Sequence, residues 1–227
     1  MRPTAVFLIA IVALAACSTE TDSLSNTTTP IGPSTSPSAN ILDNAIEATL
    51  SRGTAALRVT IDSNDSQVTG SGTTSLANNR GEIAWVDQES NESWTDLIDS
   101  DGSYTLVDGS WFLAPEGTQT PTSGNISPLS HLGSLTSQND GELSGTITLT
   151  IDSGMNFSDE ELIELSKICD MVLDVEMVLD STGLISSIIK SFNCVGNERV
   201  NVTQLSDFGS PIKLSTPENV FELDPNQ

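Results

Sequence analysis

Few side chains in this 227-residue sequence are equipped for chemistry, and their spacing argues against most reactions. There is one histidine, His131, within Leu129-Ser130-His131-Leu132. A Ser-His-Asp hydrolase would need it, yet no Gly-x-Ser-x-Gly elbow accompanies it, so a surface or rim histidine is the simpler reading. Asp99, Asp101 and Gly102 resemble the start of a calcium loop. Counted from Asp99, the twelfth residue is Ser110 where such a loop carries a bidentate Glu, so a plain hairpin turn is expected. Glu160 and Glu161 fall in the first turn of a predicted helix, where carboxylates complement the helix dipole and need no acid/base role. No catalytic residue, metal site or cofactor is expected, and the chain reads as a non-enzyme.

Two of the three cysteines belong to the most regular segment. Met171, Leu173, Val175, Met177 and Leu179 alternate with Asp170, Asp174, Glu176 and Asp180, the pattern of a half-buried strand. Asp180-Ser181-Thr182-Gly183 turns, and Leu184–Cys194 runs back. Opposed residues in such a hairpin have a constant sum, here 180 + 183 = 363, and Cys169 with Cys194 satisfies it. Opposed Cβ atoms about 4.5–5.5 Å apart can close to a disulfide, the expectation outside the cytoplasm. A bulge at Gly183 would shift the register by one, and two buried free thiols are the alternative.

The third cysteine ends an N-terminal signal. Arg2 precedes an apolar run from Ala5 to Ala16, too short for a spanning helix of about 20 residues. Leu14-Ala15-Ala16-Cys17 then looks like the lipobox of bacterial lipoproteins, whose cysteine is diacylated on sulfur and becomes the first residue after cleavage. Two acyl chains anchor stably where one does not. Zinc would need several free His and Cys ligands, and an acylated Cys17 beside a Cys169–Cys194 bridge leaves none. Residues 18–39 are Ser, Thr and Pro, a tether lifting residues 40–227 off the bilayer.

The elements that position these groups are mostly strands. Residues 40–53 carry a helical stripe (Ile41, Leu42, Ala45, Ile46, Thr49, Leu50), with Asn40 as cap and Gly53 beyond the end. Leu57, Val59 and Ile61 alternate in a strand. Residues 67–76 return with Gly70 and Gly72 on one face, leaving room for a bend, a close backbone or a ligand. Short strands are predicted around Ile83–Val86, Trp94–Ile98, Ser103–Val107 and Trp111–Ala114, an antiparallel meander. Ser127-Pro128 can start a short helix bearing Leu129, Leu132 and Leu135, and Leu143, Ile147, Leu149 and Ile151 resume strand alternation. Ser158 with Glu161 fits a capping box before Leu162, Leu165 and Ile168. Val200 and Val202 form one more strand, and Pro211 and Pro217 bracket a segment typical of a sheet edge. The balance of 8 Lys+Arg against 31 Asp+Glu, a net charge of −23, excludes nucleic-acid binding and attachment to anionic lipid by charge.

This order of parts resembles the LppX/LprAFG lipoprotein family of actinobacteria, within the wider LolA/LolB-like superfamily, over roughly residues 41–223. The resemblance rests on ILDNAIEATL, LRVTI and SYTLVDGSWFLAP (with Tyr104, Asp108-Gly109 and Trp111), then on MVLDVEMVLDSTGLISSI and SDFGSPIKLSTPENV. It implies an α+β fold, a curved antiparallel β-sheet or half-barrel with helices packed across the concave face. It implies a membrane-anchored protein on the extracytoplasmic face that binds a lipid or lipidated glycoconjugate between sheet and helices, with an envelope transport partner. Cavity candidates are Leu57, Val59 and Ile61, the tryptophans Trp85, Trp94 and Trp111, and Met171, Leu173, Val175, Met177, Ile188 and Phe192. Met and aromatic side chains suit adaptable apolar ligands, although a plain core uses the same residue types. The alternative is an envelope sensor or protein-interaction module of the same fold.

Overall fold

A computed structural model describes residues 37–63, 66–78, 80–114, 126, 129–130, 132–139, 141–150 and 159–222. Cys17, nearly all of the tether, His131, Ile151 and Ser158 lie outside the described residues. Helix α1 spans Pro37–Leu50. It starts three residues before Asn40, with proline in the first turn, where its missing N–H is not needed. Gly53 follows at φ +77°, the left-handed conformation that ends helices.

The strands are β1 Thr54–Ser63, β2 Ser66–Ser75, β3 Gly81–Asp87, β4 Ser93–Ile98, β5 Ser103–Val107, β6 Ser110–Leu113, β7 Gly133–Asn139 and β8 Glu142–Thr148. Helix α2, Asp159–Ser166, precedes β9 Val172–Leu179, β10 Ile185–Cys194, β11 Asn197–Ser206 and β12 Val220–Phe221. They form one open, curved sheet in the order β12-β6-β5-β4-β3-β2-β1-β11-β10-β9-β8-β7. Two antiparallel meanders, β1–β6 and β7–β11, meet where β11 pairs with β1. The chain then crosses the strand ends, held by Thr54 Oγ1 to Ser210 O at 2.6 Å and Thr216 Oγ1 to Asp99 Oδ2 at 2.6 Å. It finishes as β12, parallel to β6.

Alternation produces one apolar face, here called inner. In β9, Leu173, Val175 and Met177 are buried while Val172, Asp174, Glu176 and Val178 are exposed. Leu42 and Ala45 of α1 share a single core with Leu57, Val59, Ile83, Trp85, Ile147, Ile188 and Leu205 from the sheet. The helix is fixed there by Thr49, which is fully buried. Its hydroxyl donates to Ala45 O at 2.7 Å and accepts the N–H of Ile185, the first residue of β10, at 2.9 Å.

Three expectations need correction. Among the described residues, a 3₁₀ turn at Leu129–Ser130 stands where a short helix through Leu135 is expected, and Gly133 already belongs to β7. Leu129 is nonetheless fully buried, as its place on the apolar side of the predicted helix requires. The constant sum of 363 fails in the body of the hairpin, where Ile188 opposes Met177 and Lys190 opposes Val175, a sum of 365. A bulge at Ser186 shifts the register, and the irregular stretch before Val172 restores it, so that Cys169 faces Cys194 in a disulfide. Ile168 lies past the end of α2 and is exposed.

Replacing Thr49 by Val keeps the side-chain volume but leaves the Ile185 N–H buried without an acceptor. We expect a loss of about 1–3 kcal/mol in urea unfolding, with Thr49→Ser retaining most of the stability. Equal stability of the Val variant would show that this contact does not fix α1.

Candidate functional site

The structure brings eleven of the twelve candidates into one core. Leu57, Val59, Trp85, Leu173, Val175, Met177 and Ile188 are buried in it, and Ile61, Trp94, Met171 and Phe192 pack against it half-buried. Trp111 is the exception. The Asp108-Gly109 turn, both residues at positive φ, pairs Leu106 with Trp111. Leu106 pairs with Thr95, and Thr95 with Ala84. Trp111 therefore shares a face with Thr95 and Ala84, opposite to Trp85 and Trp94, and the register removes it from the set.

The glycine pair is accounted for locally. A Cβ on Gly70 would stand 2.5 Å from Cε3 of Trp85, so the indole lies directly over this residue. A Cβ on Gly72 would meet the Glu82 carbonyl oxygen, which marks close approach of β3. Trp85 so placed stacks on its cross-strand partner Trp94, centroids 6.1 Å apart and planes 19° apart. Beside them on the same face of β4 is Asp96, whose Oδ1 accepts the Thr105 hydroxyl at 2.8 Å. Burial pushes the Asp96 carboxyl up, and Thr105 with the two indoles opposes that shift.

A second polar group on the inner face is Lys190. It lies between Ile188 and Phe192 in β10, opposite Val175 of β9 and Asn201 of β11, and is 5% exposed. Burial pulls its ammonium down to about 7. Neither Asp96 nor Lys190 was singled out from sequence, yet alternation carries the signal. Once Ile188 and Phe192 face inward, so must Lys190; once Trp94 does, so must Asp96. The Asp99–Gly102 segment forms the expected turn: Asp99 Oδ1 accepts the N–H of Asp101 at 2.8 Å and of Gly102 at 3.1 Å.

Two recesses open to solvent. One, of about 500 Å³, runs along α1 and is lined by Asp43, Ile46, Glu47, Leu50, Ser51 and Ser130. The other, of about 570 Å³, involves Arg58, Ser71, Ser187 and Gln204 of the outer face. Among the described residues the space between α1 and the sheet is filled by side chains; Val59, Leu129, Ile147 and Ile185 have no exposed surface. No described helix is long and apolar enough to cross a membrane.

No family model matches the sequence, and no curated protein matches it. Among solved structures, the crystal structure of LprF from Mycobacterium bovis matches at TM-score 0.50 and 14% identity, covering 79% of this chain and 96% of that one. An N-terminal dehydratase from the difficidin assembly line aligns at TM-score 0.16 and 9% identity over 74% of this chain and 85% of that one, too low to inform the fold. The chain thus has the LprF fold, that of the lipoprotein group which the sequence resembles.

Lys190 makes a signed prediction. Its folded pKa is depressed below the ordinary 10.5, so between about 7 and 10.5 the unfolded chain binds the extra proton. The cost of its buried charge is therefore full and constant below about 7 and is relieved as pH rises across that window, with a slope of at most roughly 1.4 kcal/mol per unit. In Lys190→Met this component disappears. The stability difference, wild type minus variant, should increase from pH 7 to 9.5 in parallel urea titrations; a flat difference would contradict the burial.

Proposed function

We propose that this protein is a membrane-anchored lipoprotein that holds a lipid or other hydrophobic ligand between its helices and the concave face of its sheet. Cys17 would carry the diacylglyceryl anchor on the extracytoplasmic face, residues 18–39 the tether, and residues 40–227 the binding domain. Passage of the ligand to an envelope partner follows from such an arrangement, and the mechanism is sequestration without chemistry. The carrying observation is the size of the apolar face. Twelve strands at about 4.8 Å spacing make a sheet on the order of 50 Å wide. Helix α1, 14 residues, is about 21 Å long, and α2, 8 residues, about 12 Å. Among the described elements helix α1 lies nearest β7 and β10, while the Trp85–Trp94 pair belongs to β3 and β4 in the other meander. Each CH₂ of an acyl chain laid on such a surface leaves water with about 0.8 kcal/mol.

A second reading is favoured by the filled core beneath α1: a sensor or protein-interaction module of the same fold that takes no lipid. The two separate in one experiment. The full chain with Cys17→Ser, exported and purified without detergent, has no acyl chains of its own. Organic extraction and lipid mass spectrometry should then return one lipid class at close to one molecule per protein. A protein that yields no lipid would overturn the carrier reading in favour of the module.

A further inference from the structure

The outer face holds a recess of about 570 Å³ built across β2, β1, β11 and β10. Its polar lining is Arg58, Ser71, Ser186, Ser187, Gln204 and Ser206. The register sets these groups in a row: Arg58 pairs with Ser71 on one side and Gln204 on the other, and Gln204 pairs with Ser187. Facing side chains on neighbouring strands stand about 5 Å apart, so one small ligand over Arg58 reaches its flanking partners. The bulge in β10 places Ser186 and Ser187 in succession between the inward Ile185 and Ile188. Ser186 Oγ donates to Val178 O at 3.0 Å, which leaves the hydroxyl of Ser187 to the recess.

Arg58 is exposed there, and its guanidinium has no ion-pair or hydrogen-bond partner among the described residues. Its outer-face neighbours, the alternate residues of Thr69–Thr73, Ala56–Thr60 and Val202–Ser206, carry no charge, in a chain with 31 acids against 8 bases. Screening at physiological salt acts over about 8 Å, so an anion seated on Arg58 meets this uncharged neighbourhood more than the distant acids. The donors then narrow the ligand. A carboxylate has two oxygens, and the guanidinium fork alone satisfies both. A phosphate monoester brings a third oxygen for Ser71, Ser187 or the Gln204 amide, and most of a second negative charge at neutral pH. A neutral sugar would use the hydroxyls and the amide but leave the cation unmatched.

We propose that this recess binds a phosphate monoester, with Arg58 clasping two oxygens and the flanking hydroxyl and amide groups taking the third. The site lies on the face opposite the surface assigned to the hydrophobic ligand, and stands independently of that reading.

Methyl phosphate titrated into the full chain with Cys17→Ser, followed in amide and arginine side-chain NMR spectra, tests it. The Arg58 Nε signal and the amides of Ser71, Ser187 and Gln204 should shift together, while the Nε signals of Arg52, Arg80 and Arg199 stay in place. Acetate should bind about tenfold more weakly, the worth of one charge-assisted hydrogen bond. Arg58→Gln should weaken methyl phosphate about tenfold or more. Arg58→Lys, which keeps the charge without the fork, should lose most of the preference over acetate. Unchanged amide signals away from the recess report that each variant is folded. Shifts of equal size at every arginine, equal affinity for acetate, or binding that survives Arg58→Gln would overturn the site. Phosphatidylcholine vesicles containing phosphatidic acid distinguish the two sources of such a group. Arg58-dependent flotation with them assigns the phosphate to a lipid headgroup. Binding of methyl phosphate alone, the expected result because a net charge of −23 opposes contact with an anionic bilayer, assigns it to a soluble ligand. Binding of neither overturns the proposal and leaves the carrier reading untouched.

Discussion

An open twelve-stranded sheet has one apolar face to cover, and α1, packed there by Leu42 and Ala45, is tied to it by a single buried hydroxyl. Thr49 bridges its own helix and the first amide of β10, so the end of α1 and the start of the β9–β10 hairpin are set by one buried contact. From there β10 pairs with β11 and β11 with β1, the junction of the two meanders. The helix, the hairpin and the junction are therefore placed relative to each other by hydrogen bonds whose geometry tolerates little shift. The Cys169–Cys194 disulfide closes the other end of the same hairpin, so β10 is held at both its first and its last residue.

The charge follows from the same division of faces. Asp174 and Glu176 are exposed between the buried side chains of β9, so acids of this strand solvate the outer surface. A chain at −23 is repelled by anionic headgroups, which suits the covalent anchor proposed at Cys17. The inner face is different in kind. It is apolar apart from a few polar groups, and of these Lys190 and Asp96 stand on opposite halves, β10 and β4. An ionised group kept on such a surface carries a desolvation cost, which is why both have shifted affinities for protons in the direction burial dictates.

Much of this was legible in the residues. Alternation in Leu57-Val59-Ile61 and Leu173-Val175-Met177 assigns a face within each strand, because the period of two is a property of the backbone. Relating one strand to the next needs the turn between them, and there the reading weakened. The Asp108-Gly109 turn and the four-residue Asp99–Gly102 loop together determine that Trp111 faces away from Trp94; residue type alone had placed them together. The turn moves the hairpin register by one residue and the Ser186 bulge by one more, so the inward residues of β9 and of β10 beyond the bulge keep their face while their partners change. The polar Gly133–Asn139 segment gave no strand signal, since an edge strand is defined by the neighbour it pairs with, here β8. Lys190 and Asp96 were hidden for another reason: charged residues are assumed to face water, and in these strands alternation overrides that assumption.

The central proposal is a hydrophobic ligand on the inner face. Methyl-labelled isoleucine spectra of the full chain with Cys17→Ser, recorded with a spin-labelled fatty acid, test it directly. Ile83 and Ile188 project from the inner face, while Ile189 projects from the outer face beside Val202 and Glu176. With ligand on the inner face, the label should broaden the methyls of Ile83 and Ile188 and spare Ile189. Broadening confined to Ile189, or none at any isoleucine at saturating ligand, would contradict it.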